Sequence, residues 1–539
     1  MCARQSQPSV GLARVGILEK EDIHISGLLL GFPAQTALAG SESLDFGCIA
    51  IAGNEIRSHS QCEKQNGGNR ESAHLQSLYL DLFSSVQKLW ALVLLVGAVA
   101  IYFLYCFGLT RTGLLGPDEP RYAAIGKAMA DTGDWITPRL WGEPWFEKPA
   151  LLYWMTAAGF RAGLNTDLAP RLPVAIVSVA FLVYFCVALR REFGDRAAFY
   201  ATVILGTSAG WLAFSHVAVT DLPMSAAIAG AMLAVMSGRG RVLAGALLGV
   251  AVLAKGLVPL VLFLPAFWFW RKRLPDLLVL LAVTVAVAAP WYVLATLRNG
   301  VPFLEEFFWK HHFERFLTGA LQHEQPFWFY VPILVAGFFP WSPLLLMLFE
   351  KQIYKDTRVT FLLGWLAWGF FFFSVSRNKL PGYLLPLFPA AAALIGIALA
   401  EAKSRILKMV CLIAGCAALL LLIPAIQEVL PPALVSGLAR GGFLSVPAIW
   451  IFPVVLITLL CGFLEWRNHR EWAIAVIALV TTVAVVRLVW EVYPLLDRQA
   501  SARTQWRSNP DSITCVSNEN RSLRYGLSYY AGRSLPDCN

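Results

Sequence analysis

The stretch that decides the fold is Gly116–Trp154, which reads GPDEPRYAAIGKAMADTGDWITPRLWGEPWFEKPALLYW. It carries adjacent carboxylates, several cations and many prolines and glycines, and it lies between two apolar runs that are long enough to cross a bilayer. Charged side chains beside membrane spans are costly and commonly mark a functional site. We therefore predict that this stretch is a catalytic loop outside the cytoplasm, and that the rest of the chain positions it.

The composition indicates a protein that crosses the membrane many times. Of the 539 residues, 57% are hydrophobic and 15% are charged, which is too little charge for a soluble protein of this length. The formal net charge of +9 does not indicate a nucleic-acid partner, because the basic residues lie between apolar runs rather than in one patch. The ten cysteines show no spacing typical of a metal site.

From Leu89 onward, apolar runs alternate with short polar breaks. Helices satisfy the backbone hydrogen bonds of single runs in lipid, so we expect an all-α membrane protein with about thirteen transmembrane helices and amphipathic helices in its periplasmic loops. The predicted spans are Leu89–Leu109, Leu172–Leu189, Ala197–Phe214, Val217–Met236, Val242–Ala254, Gly256–Trp270, Leu277–Leu297, Trp328–Leu348, Val359–Val375, Leu380–Leu399, Leu407–Ile423, Val446–Leu464 and Trp472–Trp490.

The Lys and Arg residues of the breaks predict the orientation. Alternate breaks are rich and poor in these residues, so the positive-inside rule places the rich set in the cytoplasm. The alternation holds only if Val242–Ala254 and Gly256–Trp270 cross separately. Two outer segments nevertheless hold several cations, namely the loop 110–171 and the break 376–379. We expect these cations to bind an anionic ligand, with pairing to the loop's own carboxylates as the alternative.

Three regions follow from this pattern. Residues 1–87 show no sustained helix or strand periodicity, and they are either a disordered N-terminal extension or the result of a misassigned start site. Residues 88–490 form the membrane domain, with a catalytic outer loop at 110–171 and a second outer loop at 298–327. Residues 491–539 form a short periplasmic tail, where Cys515 and Cys538 lie on the side of the membrane that permits a disulfide.

The first motif in the catalytic loop surrounds Asp118. This residue precedes Glu119 and Pro120, which is the pattern of a helix N-cap. Tyr122, Ile125 and Met129 recur at helical spacing, so a short amphipathic helix on the membrane surface is expected. A capping role alone would explain Asp118, but the adjacent Glu119, the basic loop and the membrane interface favour a catalytic role.

The second motif is Gly142–Pro149, which reads GEPWFEKP. Two prolines within it exclude a regular helix and predict an ordered turn. Lys148 can bind a phosphate as a point charge, with Glu147 orienting it or holding a metal. The alternative is an ion pair between the two on the surface, which would contribute little.

An ordered series of motifs resembles the GT-C membrane glycosyltransferases over roughly residues 89–399. The similarity is greatest to the bacterial aminoarabinose transferases that modify lipid A and to relatives of the protein O-mannosyltransferases. The motifs that carry it are PDEPRYA, GDWITPRLWG, FEKPALLYW, the break Thr220–Pro223, AKG at Ala254–Gly256, QHEQPFWFYVP and KLPGYLLPLFP.

The resemblance implies an enzyme that takes a sugar from a polyprenyl phosphate, usually undecaprenyl phosphate, at the periplasmic face of the bacterial inner membrane. Asp118 would then act on the acceptor as a base or orienting group, Lys148 would contact the lipid phosphate, and Asp221 is the other recurring acid. The predicted catalytic residues are Asp118, Glu119 and Asp221. The predicted donor-phosphate ligands are Lys148, Arg121, Arg315, Lys379 and Tyr383.

The second outer loop, 298–327, is the other candidate wall of the site. Its amphipathic and aromatic pattern is typical of a helix in the headgroup layer, and Arg315 is placed there as a second phosphate contact. Glu147, His312 and His323 could together hold a divalent metal, although no local ligand motif supports it. No other cofactor is indicated.

Direct displacement at the anomeric carbon would invert it, and the acceptor could be a lipid A phosphate, another envelope glycan or a protein hydroxyl. A transporter or lipid flippase is the alternative from a different class. That alternative predicts charges near the midplane of the spans and repeated halves, and the sequence shows no internal repeat.

Overall fold

The computed structural model of the chain describes residues 95–238, 240–307, 309, 325–401, 406–436, 447–517 and 520–538. These residues lie in one compact unit, Lys88–Asn539. The predicted N-terminal extension lies outside the described residues, as do three predicted site residues, Arg315, His312 and His323.

The described part of the chain is mostly helical, as the apolar runs predict. Seven of its helices are long and apolar enough to cross a membrane, or eight if the bent pair Phe327–Gly337 and Ser342–Phe349 is one span. The seven are Leu168–Thr207, Leu274–Asn299, Thr357–Val375, Pro381–Glu401, Ile406–Pro431, Ala448–Trp466 and Arg470–Gln499.

Shorter elements connect these helices and build the outer loops. The only sheet among the described residues is one antiparallel pair, Arg139–Leu140 with Glu143–Pro144, in the catalytic loop. The shorter helices are Leu95–Cys106, Asp118–Thr132, Leu151–Arg161, Ala209–Ser215, Asp221–Met236, Arg241–Lys255, Val258–Leu262, Leu264–Phe269, Val301–Leu304, Lys351–Lys355, Ala502–Ser508 and Arg521–Ala531.

Two predicted spans lie within a single long element. The runs Leu172–Leu189 and Ala197–Phe214 both fall largely in Leu168–Thr207, where Gly194 interrupts the helical backbone at φ 83° and ψ 173°. A positive φ suits glycine because a side chain would clash there. Leu168–Thr207 is therefore two helical segments joined at Gly194.

Two other predicted spans are broken rather than straight. The run Gly256–Trp270 forms two short helices, Val258–Leu262 and Leu264–Phe269, each with a proline in its first turn. The run Trp328–Leu348 bends by 117° between its two helical parts. Proline lacks the backbone N–H that a continuing helix needs, which explains why apolar periodicity overestimated the regularity of these segments.

The helix Pro381–Glu401 forms the centre of the bundle. It is almost completely buried, unlike Ala448–Trp466, which is largely exposed on the outside of the bundle. Its run of alanines packs against Leu168–Thr207, because small side chains let helix backbones approach closely. The first turn of this helix and the residues before it, 376–380, lie at the candidate site.

We call Asp118–Thr132 the DE helix. It begins at Asp118 itself, and the N-cap is Pro117, so the predicted capping role of Asp118 is wrong. The Asp118 side chain instead bonds Arg121 one turn further on. The predicted face of Tyr122, Ile125 and Met129 is buried in the core, as the spacing indicates.

The tail after the last span folds against the catalytic loop. Its helix Arg521–Ala531, which we call the cap helix, packs on Ala502–Ser508 and on the DE helix. Cys515 and Cys538 form a disulfide, so the pairing that the sequence permitted is present.

Candidate active site

One cavity brings together five of the eight predicted site residues that the structure describes. It lies between the catalytic loop, the start of Asp221–Met236, the end of Arg241–Lys255 and the segment before Pro381–Glu401. Its charged and polar lining includes Asp118, Tyr122, Glu147, Lys148, Asp221, Lys255, Asn378 and Tyr383. Residues that are more than 250 positions apart in sequence therefore share one site.

Arg121 joins the two motifs of the catalytic loop. Its Nη2 atom lies 2.5 Å from Asp118 Oδ1 and 2.9 Å from Glu147 Oε2, and its side chain is 4% exposed. Burial lowers the pKa of Arg121, but the neighbouring acidic groups, Glu147 first, outweigh burial and raise it. The guanidinium therefore stays charged and holds both carboxylates at the cavity.

Glu147 is shared between two cations. Arg121 binds its Oε2 atom, and the Lys148 ammonium donates to Oε1 at 3.1 Å. The Lys148 and Glu147 side chains are only 13% and 11% exposed, so this pair lines the cavity and is not the surface ion pair of the alternative interpretation. A partly enclosed ammonium of this kind can approach a phosphate with little competition from water.

Asp221 forms a second charged pair on another wall of the cavity. The Lys255 ammonium donates to Asp221 Oδ1 at 2.6 Å and lies 4.8 Å from the centroid of the Tyr383 ring. The predicted set of site residues omitted Lys255. The available signal was that Lys255 is the only cation in its outer break and lies in the AKG motif.

Lys379 does not line this cavity. Its ammonium donates to the backbone oxygens of Gln325 at 3.0 Å and Ser376 at 2.5 Å, and it borders a neighbouring open groove with Arg377. Lys379 and Tyr383 are four residues apart, but they do not share one helical turn because the helical segment begins only at Pro381. Only Tyr383 of the two reaches the cavity.

Glu119 is fully buried and faces away from the cavity. Its two oxygens accept from Arg171 Nε at 2.6 Å and Nη2 at 2.7 Å. They also accept from the backbone N–H groups of Leu115 at 2.7 Å and Ala218 at 2.9 Å. With four donors, this carboxylate ties the DE helix to the start of Leu168–Thr207 and to the connection that precedes Asp221–Met236.

Two buried tyrosines lie at the site: Tyr122 lines the cavity, and the ring of Tyr153 packs behind it with centroids 5.9 Å apart. Burial, followed by the charge of Glu147, raises the pKa of Tyr122 and of Tyr153 well above the usual value. Both hydroxyls therefore remain protonated and cannot serve as bases. The carboxylates that line the cavity, unlike these tyrosines, can accept a proton.

The described residues contain no cluster of three or more His, Cys, Asp and Glu side chains able to hold a metal. Of the predicted metal set, Glu147 is described, and each of its oxygens is bonded to a cation. Its predicted partners His312 and His323 lie outside the described residues.

Comparison with known proteins now adds to this geometry. A curated Pseudomonas fluorescens protein named undecaprenyl phosphate-alpha-4-amino-4-deoxy-L-arabinose arabinosyl transferase 2 is 31% identical over 500 residues, which is 83% of each chain. A similarly named transferase from Pseudomonas paraeruginosa is 30% identical over 84% of this chain and 89% of its own. The chain belongs to this family of aminoarabinose transferases.

Membership is consistent with the fold. The crystal structure of ArnT from Cupriavidus metallidurans bound to undecaprenyl phosphate matches with a TM-score of 0.64 and 25% sequence identity. The match covers 83% of this chain and 90% of that chain. No family model matches the sequence. The resemblance read from the motifs is thereby confirmed, and it extends beyond the range 89–399 in which the motifs lie.

Proposed function

We propose that this protein transfers 4-amino-4-deoxy-L-arabinose from undecaprenyl phosphate to a phosphate group of lipid A. The observation that carries the proposal is the cavity in which Asp118 and Asp221 face the same space as Lys148 and Lys255. A member of this transferase family needs such a site, where cations bind the lipid phosphate and a carboxylate faces the acceptor.

In this proposal the cations serve the donor. The bond between the anomeric carbon and the phosphate oxygen breaks, and the oxygen leaves with the electron pair. Lys148 and Lys255 stabilise the negative charge that develops on the departing phosphate, because fixed cations in a partly enclosed site act strongly on such charge. Arg121 contributes by holding Glu147, and the hydroxyl of Tyr383 can donate to a phosphate oxygen.

Asp118 serves the acceptor. Its side chain is 48% exposed, so among the acids bonded to Arg121 it is the one that an incoming molecule can reach. A lipid A phosphate already carries a nucleophilic oxygen, so Asp118 would orient it rather than remove a proton. For a hydroxyl acceptor the same carboxylate would accept the proton as the bond forms. Direct displacement inverts the anomeric carbon in either case.

The remaining predicted residues take other positions in this proposal. Glu119 is a positioning residue, because its bonds to Arg171 and the backbone occupy it fully. Lys379 borders the groove beside the cavity, where it can contact the lipid rather than the reacting phosphate. Arg315 remains a proposed phosphate ligand in the second outer loop, and a divalent metal at Glu147, His312 and His323 remains an alternative.

We further propose the topology that the loop charges predict. Thirteen spans follow from the seven long helices if the two segments of Leu168–Thr207 cross separately and five further elements each cross once. These are Leu95–Cys106, Asp221–Met236, Arg241–Lys255, the pair Val258–Leu262 with Leu264–Phe269, and the bent pair Phe327–Gly337 with Ser342–Phe349. The cavity and the residues 491–539 then face the periplasm of the bacterial inner membrane, with 88–490 as the membrane domain. Labelling of introduced cysteines from the periplasmic side tests this arrangement.

The function is tested with purified protein in detergent, undecaprenyl phosphate-linked aminoarabinose and lipid A, with the product measured by mass spectrometry. Asp118→Asn and Lys148→Ala should each abolish most of the transfer while the protein stays folded. Full turnover in both variants contradicts the site, and transfer from a nucleotide sugar contradicts the donor. Comparing lipid A, glycan and protein fractions of cells with and without the gene distinguishes lipid A from the other acceptors.

A further inference from the structure

The C-terminal tail has a small core of its own. Ala502, Val516, Leu527 and Leu535 are buried together, and the disulfide between Cys515 and Cys538 closes the segment that contains the cap helix. At the start of the tail, Asp497 Oδ1 accepts from the backbone N–H of Gly113 at 2.6 Å. The tail is therefore an ordered element and is attached to the beginning of the catalytic loop.

Further buried hydrogen bonds join the tail to the catalytic loop. Arg503 donates to Asp167 Oδ2 at 2.7 Å and to the backbone oxygens of Thr110 at 2.8 Å and Arg111 at 3.0 Å. The Tyr530 hydroxyl donates to Asp167 Oδ1 at 2.8 Å and accepts from the Leu114 N–H at 2.9 Å. Both ends of the loop 110–171 are thus bonded to residues of the tail.

The approach is close enough to require glycine at position 113. A Cβ atom there would lie 2.2 Å from Ser501 Oγ, 2.6 Å from Arg503 Cβ and 2.7 Å from the Tyr530 hydroxyl oxygen. Such distances are far below van der Waals contact. Gly113 therefore lets the tail lie directly on the backbone of the loop.

The cap helix then reaches the candidate active site. It packs on the DE helix, and the ring centroid of Tyr525 lies 5.3 Å from Arg121 Cζ. The other rings near this guanidinium, Tyr122 at 5.2 Å and Trp145 at 5.5 Å, belong to the catalytic loop itself. Tyr525 is the contact that the tail contributes, and a cation near an aromatic ring is held electrostatically.

We infer that the C-terminal tail positions the catalytic loop for transfer, with Tyr525 holding the Arg121 guanidinium that in turn holds Asp118 and Glu147. This inference rests on the proposed function, because it assigns a task in that reaction. Tyr525 is a positioning residue in this scheme and acts only through Arg121.

The test is a double-mutant cycle between Tyr525 and Arg121. Tyr525→Leu should lower turnover at saturating donor and acceptor about threefold to tenfold. Tyr525→Phe keeps the aromatic ring and should keep near-normal turnover. The same Tyr525→Leu change should have no further effect in an Arg121→Gln protein, which lacks the cation at this position, because residues that act through one contact are not additive. Arg524→Ala, on the adjacent position of the same helix, is the matched control and should keep normal turnover.

Hydrogen–deuterium exchange provides a readout that needs no activity. Tyr525→Leu should speed exchange in the first two turns of the DE helix, again only when Arg121 is present, while the cap helix keeps its protection. If the cap helix also loses protection, Tyr525→Met replaces Tyr525→Leu as a less disruptive change. If the Tyr525 substitution has the same effect in the wild-type protein and in the Arg121→Gln protein, in either readout, the inference is overturned.

The two proposals fail separately. If the wild-type protein transfers no sugar from the lipid-linked donor, the proposed function is contradicted. The double-mutant cycle measured by hydrogen–deuterium exchange still decides whether Tyr525 positions Arg121. If the wild-type protein transfers the sugar but the effects of the Tyr525 and Arg121 substitutions are additive, the inference is contradicted and the proposed function stands.

Discussion

Asp118 and Glu119 are adjacent carboxylates, and we expect their removal to produce opposite defects. Glu119→Gln keeps the size of the side chain but replaces an oxygen that accepts hydrogen bonds with an amide that donates them. Arg171 would lose its counter-charge in a site where the Glu119 and Arg171 side chains are 0% and 2% exposed. Removing one partner of a buried pair costs about 3–5 kcal/mol.

The structure also sets the size of the thermal shift. Unfolding entropy is about 2.1 cal/mol/K per residue, and the compact unit Lys88–Asn539 therefore has about 0.9 kcal/mol/K if it unfolds as one. A loss of about 3–5 kcal/mol then lowers the Tm by roughly 3–6 °C. Asp118→Asn should leave the Tm within about 1 °C of wild type, because Asp118 is half-exposed and such positions contribute little to stability.

The assay measures two quantities on each purified variant, the Tm in detergent by size-exclusion chromatography after heating and the turnover per folded molecule. Glu119→Gln should lower the Tm and keep much of its turnover at low temperature, while Asp118→Asn should do the reverse. Glu143→Gln, an exposed carboxylate in the same loop, is the control and should change neither. A Glu119→Gln protein with normal Tm and no turnover would refute the positioning role and support a catalytic one.

Three further predictions concern the cavity and the tail. Lys255→Ala should reduce kcat/KM for the lipid-linked donor about tenfold to a hundredfold through a lost charge-assisted contact; an unchanged value, measured in the purified transfer assay, contradicts its phosphate role. Changing both Cys515 and Cys538 to Ser removes a link across 23 residues of sequence separation, so hydrogen exchange of the cap helix should accelerate while that of the membrane helices does not; unchanged exchange in the cap helix would show that the tail is ordered without the disulfide. Because cations occupy both Glu147 oxygens, chelation with EDTA should leave turnover unchanged, and a loss restored by added Zn²⁺ or Mg²⁺ would favour the metal alternative.

Apolar run length predicted most of the membrane helices, since a helix is the only way for such a run to satisfy its backbone in lipid. It failed where proline changed the backbone inside a run, as between Val258–Leu262 and Leu264–Phe269. Hydrophobicity does not distinguish a straight span from a bent one. A proline inside an apolar run therefore says more about the shape of the segment than the mean hydropathy of the run does.

Motif order predicted the loops that form the cavity, but it could not say which way each side chain points. Successive helical residues project about 100° apart. Asp118 and Tyr122 are four residues apart and both line the cavity, whereas Glu119 turns toward Arg171. The helical phase that separates the two acids is set by which face of the DE helix packs on the bundle.

Tyr525 and Lys255 show a different limit. Lys255 faces Asp221 from the end of another helix, and Tyr525 faces Arg121 across 404 positions of sequence. No local pattern encodes such contacts, because they depend on how the helices and the tail pack. The tail also shows why this matters for chemistry. Catalysis requires reacting groups to be held within fractions of an ångström, and the short helices of the catalytic loop pack on elements outside the loop. Rigidity at Asp118 must therefore come from elements outside the loop, and the buried contacts of Glu119, Arg503 and Tyr530 are where the structure supplies it.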